Sequence, residues 1–565
     1  MSPSSPPTSD RPSGGVLFVA HFLPGLLAGT QLAGLIFFLN PDLPFTARGL
    51  LRSALFYGGL LGLISTLLLT AVTWRLGSRA LRALPWSITA ALALAALGHW
   101  FSASYYSYYL PPGINVRMIK AAVWLTLTTL ICFYIALLHS HQRRPYGWRS
   151  RIGFAALALA SVYVMAERRE AFNPRPEPTP LPSAVEFQTR PTLVVVALEG
   201  ATLEAILPLA RQGRLPFFAR LLEQGAYGHS TSFAPARRAA LWTTLATGKL
   251  PYKHGVLGDR FFPAELLGRG VRLRLLPRLP GFAGWGTLGE PRPSDARSGQ
   301  SPALWEILAR LGIPSGLVGW PLSYPVPESA TFAFSDLYFA GDLREGAARP
   351  RELAERGLLF QLAAEEIDPS LLEPLGKRLP FSLLEVLAHD LWRESLTRFL
   401  LEQRQEVRAL FLMLPGLSAV SRSYFGGYAV VEFAGAQRSS AQEAAGFLTG
   451  YYRHLDDFLA NLWQRLSEPR ILVVVSAHGF EAPQGWRKLW FLVSGRPFDG
   501  FSTGAPAGVF LLAGAGIRPG TFLENAQLVD VMPTLLYALA FPIARDLDGQ
   551  VLTSAFEKSF LARHP

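Results

Sequence analysis

Residues 471–480 read ILVVVSAHGF. Five consecutive apolar residues, three of them valine, have the composition of a strand buried on both faces of a parallel sheet. The run stops at Ser476-Ala477-His478-Gly479, so the strand delivers a histidine to its carboxyl end, where ligands bind in open α/β sheets. Beside His478 stands Ala477, whose methyl group can neither ligate a metal nor move a proton. Whether His478 belongs to a working site is decided by residues elsewhere in the chain.

Outward from this strand, similar apolar runs occur at 192–198 (TLVVVAL), 315–319, 409–414 and 508–513. Helical patterns such as 201–212, 302–311 and 450–466 lie between them. Strands alternating with helices predict a mostly parallel sheet covered on both faces, filling residues 191–565 as one α/β domain.

The other half of the chain is of a different kind. Half of all residues are hydrophobic and the mean hydropathy is positive, which points to a membrane part. Apolar segments at 15–39, 55–74, 86–110, 121–139 and 152–166 define an expected helical transmembrane domain of about five spans over 15–166, after a tail of residues 1–14. The first four reach or approach bilayer length and the fifth is short. Five prolines between Pro174 and Pro182 make 167–190 an extended spacer and the domain boundary.

The net charge of +12 divides unevenly: residues 1–190 hold 16 Lys+Arg and 6 Asp+Glu, or +10, leaving 37 against 35, or +2, for the rest. The excess flanks apolar segments, so it reads as membrane charge and argues against a nucleic-acid partner. Arg75, Arg79 and Arg82 in the second connection, and Arg143, Arg144, Arg149 and Arg151 in the fourth, outnumber the cations of the first and third. The positive-inside rule then predicts a cytoplasmic N-terminus and, with five crossings, an extracytoplasmic domain, periplasmic in a Gram-negative cell. This orientation depends on the fifth span. Tyr105, Tyr106, Tyr108 and Tyr109 read as an interfacial belt, and no Asp, Glu or Lys lies well inside a span, which argues against an ion pathway. Cys132 is the single cysteine, so disulfides play no part.

Residues 191–552 resemble the type I phosphodiesterase/nucleotide pyrophosphatase group of the alkaline phosphatase superfamily. The resemblance is carried, in order, by 194–200, Leu215-Pro216, 241–248 (LWTTLATG) with His254-Gly255, 320–325 (WPLSYP), Leu414-Pro415-Gly416, Asp456, 476–480, and Asp530 to Thr534 with Asp548-Gly549. It implies a fold in which two divalent metals, usually zinc, flank a phosphorus atom and activate a threonine or serine nucleophile. Membrane spans followed by such a domain also resemble, in layout, phosphoethanolamine transferases and lipoteichoic acid synthases.

Carried over position by position, the resemblance implies a dismantled site. The first-strand carboxylate falls on Glu199, where the family has aspartate. The nucleophile position is Arg238, and a guanidinium has no deprotonated form near neutral pH. The Asp and His positions after Pro415-Gly416 are Ser418 and Arg422; the next pair is Ala477 and His478; the last histidine is Gly504. Five of the seven positions have lost their chemistry, Glu199 is altered but compatible, and His478 is kept. Zinc sites take three or four protein ligands, so no metal is expected to be held confidently, with Glu199 and His478 as residual candidates.

The resemblance implies that Arg238 and Arg422 project into a space that the family fills with cations. They either pair with Glu199 and close it, or bind an anion such as a phosphate or lipid headgroup. Other polar landmarks have local readings: Asp530 and Thr534 as caps of a helix over 531–539 and His254 as part of a turn. The chain is thus expected to be a membrane-anchored, catalytically inactive phosphodiesterase-like protein acting as a structural, assembly or binding subunit. Its partners would be the bilayer and, beyond it, membrane-complex subunits or lipid headgroups. The alternative is an active phosphodiesterase or headgroup transferase using Glu199 and His478 around one zinc or other divalent ion, with Thr243 or Thr244 as nucleophile.

Overall fold

The computed structural model describes residues 13–163 and 190–564, apart from 45, 74–80, 82, 143–145, 286–287, 366–380, 435–438, 484, 486–488, 491–492 and 495–498. The expected spacer lies, except for residue 190, outside the described residues. The chain forms two compact units, and residues Arg260–Pro293 group with the N-terminal helices instead of with the α/β domain that precedes and follows them.

In the first unit, α1 (Gly14–Leu39), α2 (Ala47–Thr73), α3 (Leu84–Tyr105) and α4 (Pro112–His141) are long and apolar enough to cross a membrane. The fifth expected segment is α5 (Trp148–Tyr163), 16 residues long. His139 at the end of α4 meets Ser150 at the start of α5 at 2.8 Å, and Gln31 of α1 donates to the Ser161 carbonyl at 2.9 Å. α5 therefore runs back along α4 and reaches the carboxyl-terminal half of α1.

Glycines set the closest helix contact. A Cβ on Gly25 would lie 2.0 Å from the Leu61 carbonyl oxygen, and one on Gly29 would lie 2.2 Å from that of Tyr57. On α2, Gly58 and Gly62 receive Leu26 and Phe22 in the same way. Paired Gly-x-x-x-Gly stretches let two backbones touch, which is how helices associate where apolar burial alone gives no drive.

Residues 260–293 form a small sheet of β3 (Arg260–Pro263), β4 (Arg272–Leu273) and β5 (Arg292–Pro293), ordered β4-β3-β5. Its apolar residues Ala264, Leu267, Leu273 and Phe282 share one core with Leu32, Ile36, Phe37 and Tyr57 of the helices. Buried Asn40, just past α1, accepts from the Arg274 and Leu275 amides at 2.8 and 3.1 Å and donates to the Leu275 carbonyl at 2.8 Å. Tyr106, just past α3, donates to the Leu276 carbonyl at 3.1 Å, and Tyr57 stacks on Phe282.

The second unit is built on a nine-stranded sheet. Its strands are β1 (Thr192–Leu198), β2 (Gly225–Ser230), β6 (Ser315–Val318), β7 (Phe332–Phe334), β8 (Ala348–Arg349), β9 (Ala409–Leu414), β10 (Arg470–Val475), β11 (Gly508–Gly514) and β12 (Thr521–Phe522). The order is β12-β2-β11-β10-β1-β9-β6-β7-β8. The central five, β10-β1-β9-β6-β7, are parallel, with Val195 beside both Val473 and Phe411. β11 pairs antiparallel with β10 and with β2. Every residue of β1 and β9 is buried, as continuous apolar runs demand of strands covered on both faces. This places the carboxyl ends of β1, β9 and β10 side by side at the middle of the sheet.

Candidate functional site

The strand ends are knitted together by short bonds. The Glu199 amide donates to the Leu414 carbonyl at 3.1 Å, joining the ends of β1 and β9. The Gly200 amide donates to Ser476 Oγ at 3.1 Å, joining β1 to β10, and Ser476 Oγ in turn donates to the His478 carbonyl at 2.7 Å. Gly200 has φ +89°, and a Cβ there would lie 2.7 Å from the Phe480 ring and 3.0 Å from Ser418 Cα. Only glycine allows this crossing.

Arg238 is the first residue of α6 (Arg238–Thr247), which aims its side chain back at β1. Its Nε donates to both Glu199 carboxylate oxygens, at 2.9 and 3.0 Å. The Glu199 side chain is 7% exposed and that of Arg238 is 39%. Burial opposes the charge on Arg238, but the carboxylates of Glu199, Asp336 and Asp259 outweigh it and hold the guanidinium above its ordinary value. Asp259 also accepts from the Ala239 amide at 3.0 Å, at the start of α6. Burial pushes the Asp336 carboxyl up, against the Leu322 amide and Arg238, which favour its charged form.

The remaining predicted positions do not converge on Arg238 as ligands. Buried Ser418 sits in the first turn of α8 (Gly416–Ala434). Arg422 has an exposed side chain that makes no ion pair among the described residues, while its carbonyl accepts from the Gly500 amide. Ala477 is buried, and Gly504 is exposed. His478 is 7% exposed, with Nδ1 3.1 Å from the Gly479 carbonyl and its ring edge-on to Phe480. Among the described residues no group of three or more His, Cys, Asp or Glu side chains is placed to hold a metal ion. The described residues at these positions therefore do not fit a two-metal centre.

Thr244 is fully buried and bonded to His254 Nε2 at 3.0 Å. The Val256 amide donates to His254 Nδ1, so the ring proton is on Nε2 and points at Thr244. Burial brings His254 down to about 3, which keeps it neutral. The expected capping by Asp530 and Thr534 is corrected in part: Asp530 bonds none of the first amides of the helix, but accepts from the Gln527 amide, closing the turn 528–530 that leads into it, and from the Gln550 amide, while Thr534 accepts from the Leu552 amide. Both hold the chain after residue 549 against α10 (Val531–Ala538), a longer-range bond than a cap.

A buried polar cluster behind the strand ends escaped the sequence reading. On α7 (Phe381–Gln403), Asp390 accepts from the Gly416 amide at 3.0 Å and from the Tyr451 hydroxyl at 2.8 Å, so a carboxyl faces the start of α8. Burial raises Asp390 to about 6, opposed by Arg393 and the Tyr451 bond. One turn on, Glu394 pairs with His454 of α9 (Ser439–Arg465) at 2.9 Å. A signal was present, since Asp390, Arg393, Glu394 and Thr397 are interleaved with the apolar positions Leu387, Leu391 and Leu396 of one helix.

A central parallel sheet, a glycine crossing at the end of its first strand and a helix opening beside it define an α/β domain whose candidate site lies at the carboxyl ends of the strands. Residues 193–492 match the type I phosphodiesterase/nucleotide pyrophosphatase family, and the chain belongs to it. Curated proteins include no match. Among solved structures, wild-type alkaline phosphatase PafA is similar at 12% identity, with a TM-score of 0.40, over 65% of this chain and 99% of that one. Murine ectonucleotide pyrophosphatase/phosphodiesterase 5, an inactive variant in complex with AMP, has the same identity and score over 65% and 100%. Phosphonoacetate hydrolase from Sinorhizobium meliloti, in complex with phosphonoformate, is 19% identical with a TM-score of 0.31, over 52% and 57%.

Proposed function

We propose that the chain is a membrane-anchored, catalytically inactive member of its family that serves as a structural, assembly or binding subunit. The observation that carries this reading is the Arg238–Glu199 pair. The nucleophile position holds a guanidinium, and that guanidinium binds both oxygens of one of the two residual ligand candidates. Three carboxylates around one arginine also disfavour an anion there, which supports the closed plug over a phosphate site. Thr244, committed to His254 and buried, is poorly suited to act as the missing nucleophile. The test is hydrolysis of bis-p-nitrophenyl phosphate by the purified full chain with zinc or manganese, alongside metal analysis. No turnover and no stoichiometric metal is expected; metal-dependent cleavage abolished by Glu199→Ala would overturn the reading.

The domain is proposed to lie outside the cytoplasm. Asn40, Tyr57 and Tyr106, which hold residues 260–293, lie toward the α1–α2 and α3–α4 connections. The arginine-rich connections are the other two. This support is independent of α5. Ser78→Cys and Arg269→Cys should react from opposite sides with a membrane-impermeant maleimide, Arg269→Cys from outside.

A further inference from the structure

Between α2 and residues 260–293 lies an open cavity of about 550 Å3. That is within the range of small-ligand pockets. Its apolar wall includes Phe56 of α2 with Leu266 and Leu288, and its polar rim carries Glu265, Glu290 and Arg292. The three charged side chains make no ion pair among the described residues, and all three residues are exposed. Two carboxylates and one guanidinium therefore stand around one opening without neutralising one another at close range.

What approaches this opening is set by α2. Leu63 and Leu67 follow Phe56 by 7 and 11 positions, which places the three on one face of the helix. Leu63 is 54% exposed and Leu67 72%, so much of this face is open among the described residues. In a bilayer acyl chains cover it. Arg52, one turn before Phe56 on the same face, is also exposed and unpaired among the described residues. From the middle of α2 toward its start, this face carries Leu67 and Leu63, then Phe56 at the cavity, then Arg52.

We propose that this cavity binds the headgroup of an amine-bearing glycerophospholipid. An acyl chain lies along Leu67, Leu63 and Phe56, the ammonium sits between Glu265 and Glu290, and the phosphate meets Arg292 and Arg52. The carboxylates select the amine: an uncharged glycerol headgroup offers them no cation, and a net anionic lipid is repelled by them. The assignment requires α2 to be in a membrane, but it is independent of the state of the Arg238 site.

The full chain, reconstituted in vesicles of equal phosphatidylethanolamine and phosphatidylglycerol and re-extracted in mild detergent, should retain phosphatidylethanolamine about tenfold over phosphatidylglycerol. Glu265→Gln with Glu290→Gln should return the retained ratio to that of the vesicle. Arg292→Ala, an exposed single change, should lower retention while leaving the unfolding midpoint in place. A wild-type ratio equal to the bulk, a preference for phosphatidylglycerol, or a Gln variant that keeps the preference would overturn the proposal. Binding of O-phosphoethanolamine to the lipid-free chain as tightly as the lipid binds would also overturn it, by assigning the site to a soluble ligand. Flotation of the chain with the vesicles reports separately on the membrane reading.

Discussion

Replacing Arg238 with methionine removes a charge while keeping most of the side chain's length, and it leaves the Glu199 carboxylate 7% exposed without its donor. Breaking a buried ion pair costs about 3–5 kcal/mol, because the remaining charge is uncompensated. Arg238, however, is 39% exposed, so water can reach the gap, and exposed pairs contribute only about 0–1 kcal/mol. The expected loss for Arg238→Met is therefore about 1–3 kcal/mol. Asp336 and Asp259 add to it, since both lose a neighbouring cation. A thermodynamic cycle separates the pair from this background. Glu199→Gln combined with Arg238→Met removes both charges, and it should be at least about 1 kcal/mol less destabilising than the sum of the single changes. Urea unfolding of the full chain in mild detergent, followed by tryptophan fluorescence, supplies the three differences. Additivity to within about 0.5 kcal/mol would refute the argument, because a plug made of two independent groups is no plug.

Other outcomes follow from the buried polar groups and the helix contacts. Asp390 titrates near 6 in the fold against 3.8 for a free side chain, so the fold takes up a proton that the unfolded chain has released; the resulting stability is full below about 3.8 and lost as pH rises through 6. Asp390→Asn keeps an acceptor for Gly416 and Tyr451 and should flatten the unfolding midpoint between pH 4 and 6, gaining up to about 3 kcal/mol at pH 8. Asn40→Ala removes three bonds to residues 274–275 and should open Arg269, Arg274 and Arg278 to trypsin, as mapped by mass spectrometry; unchanged protection would show that the shared apolar core suffices. Gly29→Val drives a side chain into the Tyr57 carbonyl and should cost about 1–3 kcal/mol in detergent, whereas Gly59→Val, with no atom within 4 Å of its Cβ, should be neutral.

The sheet was legible because its central strands are buried on both faces, and such strands need uninterrupted apolar runs that no helix surface shows. Arg238 was legible because Trp242 and Gly248 fix its place without a gap, and its partner Glu199 because it closes the first run. Asp336 and Asp259 were not, since each is a single acid outside any motif and meets Arg238 only through the fold. Asp530 was misassigned for a related reason: an aspartate before a helix reads as a local cap, and its bond to Gln550 spans 20 residues. The least legible feature was the placement of residues 260–293. They lie within the sequence of the α/β domain, and the bond from Asn40 to Leu275 crosses 235 positions that no periodicity connects.

That long connection also gives the chain a schedule. During synthesis α1, α2 and α3 are complete long before Phe282 and Leu275 exist, and about 130 residues separate the end of α5 from Pro293. At about 5–20 residues per second, the ends of the helices that will receive this segment wait roughly 6–26 seconds uncovered. For that interval the contacts of Asn40 and Tyr57 with 260–293 are not yet made, and the nascent helices offer a chaperone a surface that the finished protein conceals. Arrival of the segment then ends the waiting state and completes the apolar core that residues 260–293 share with the N-terminal helices.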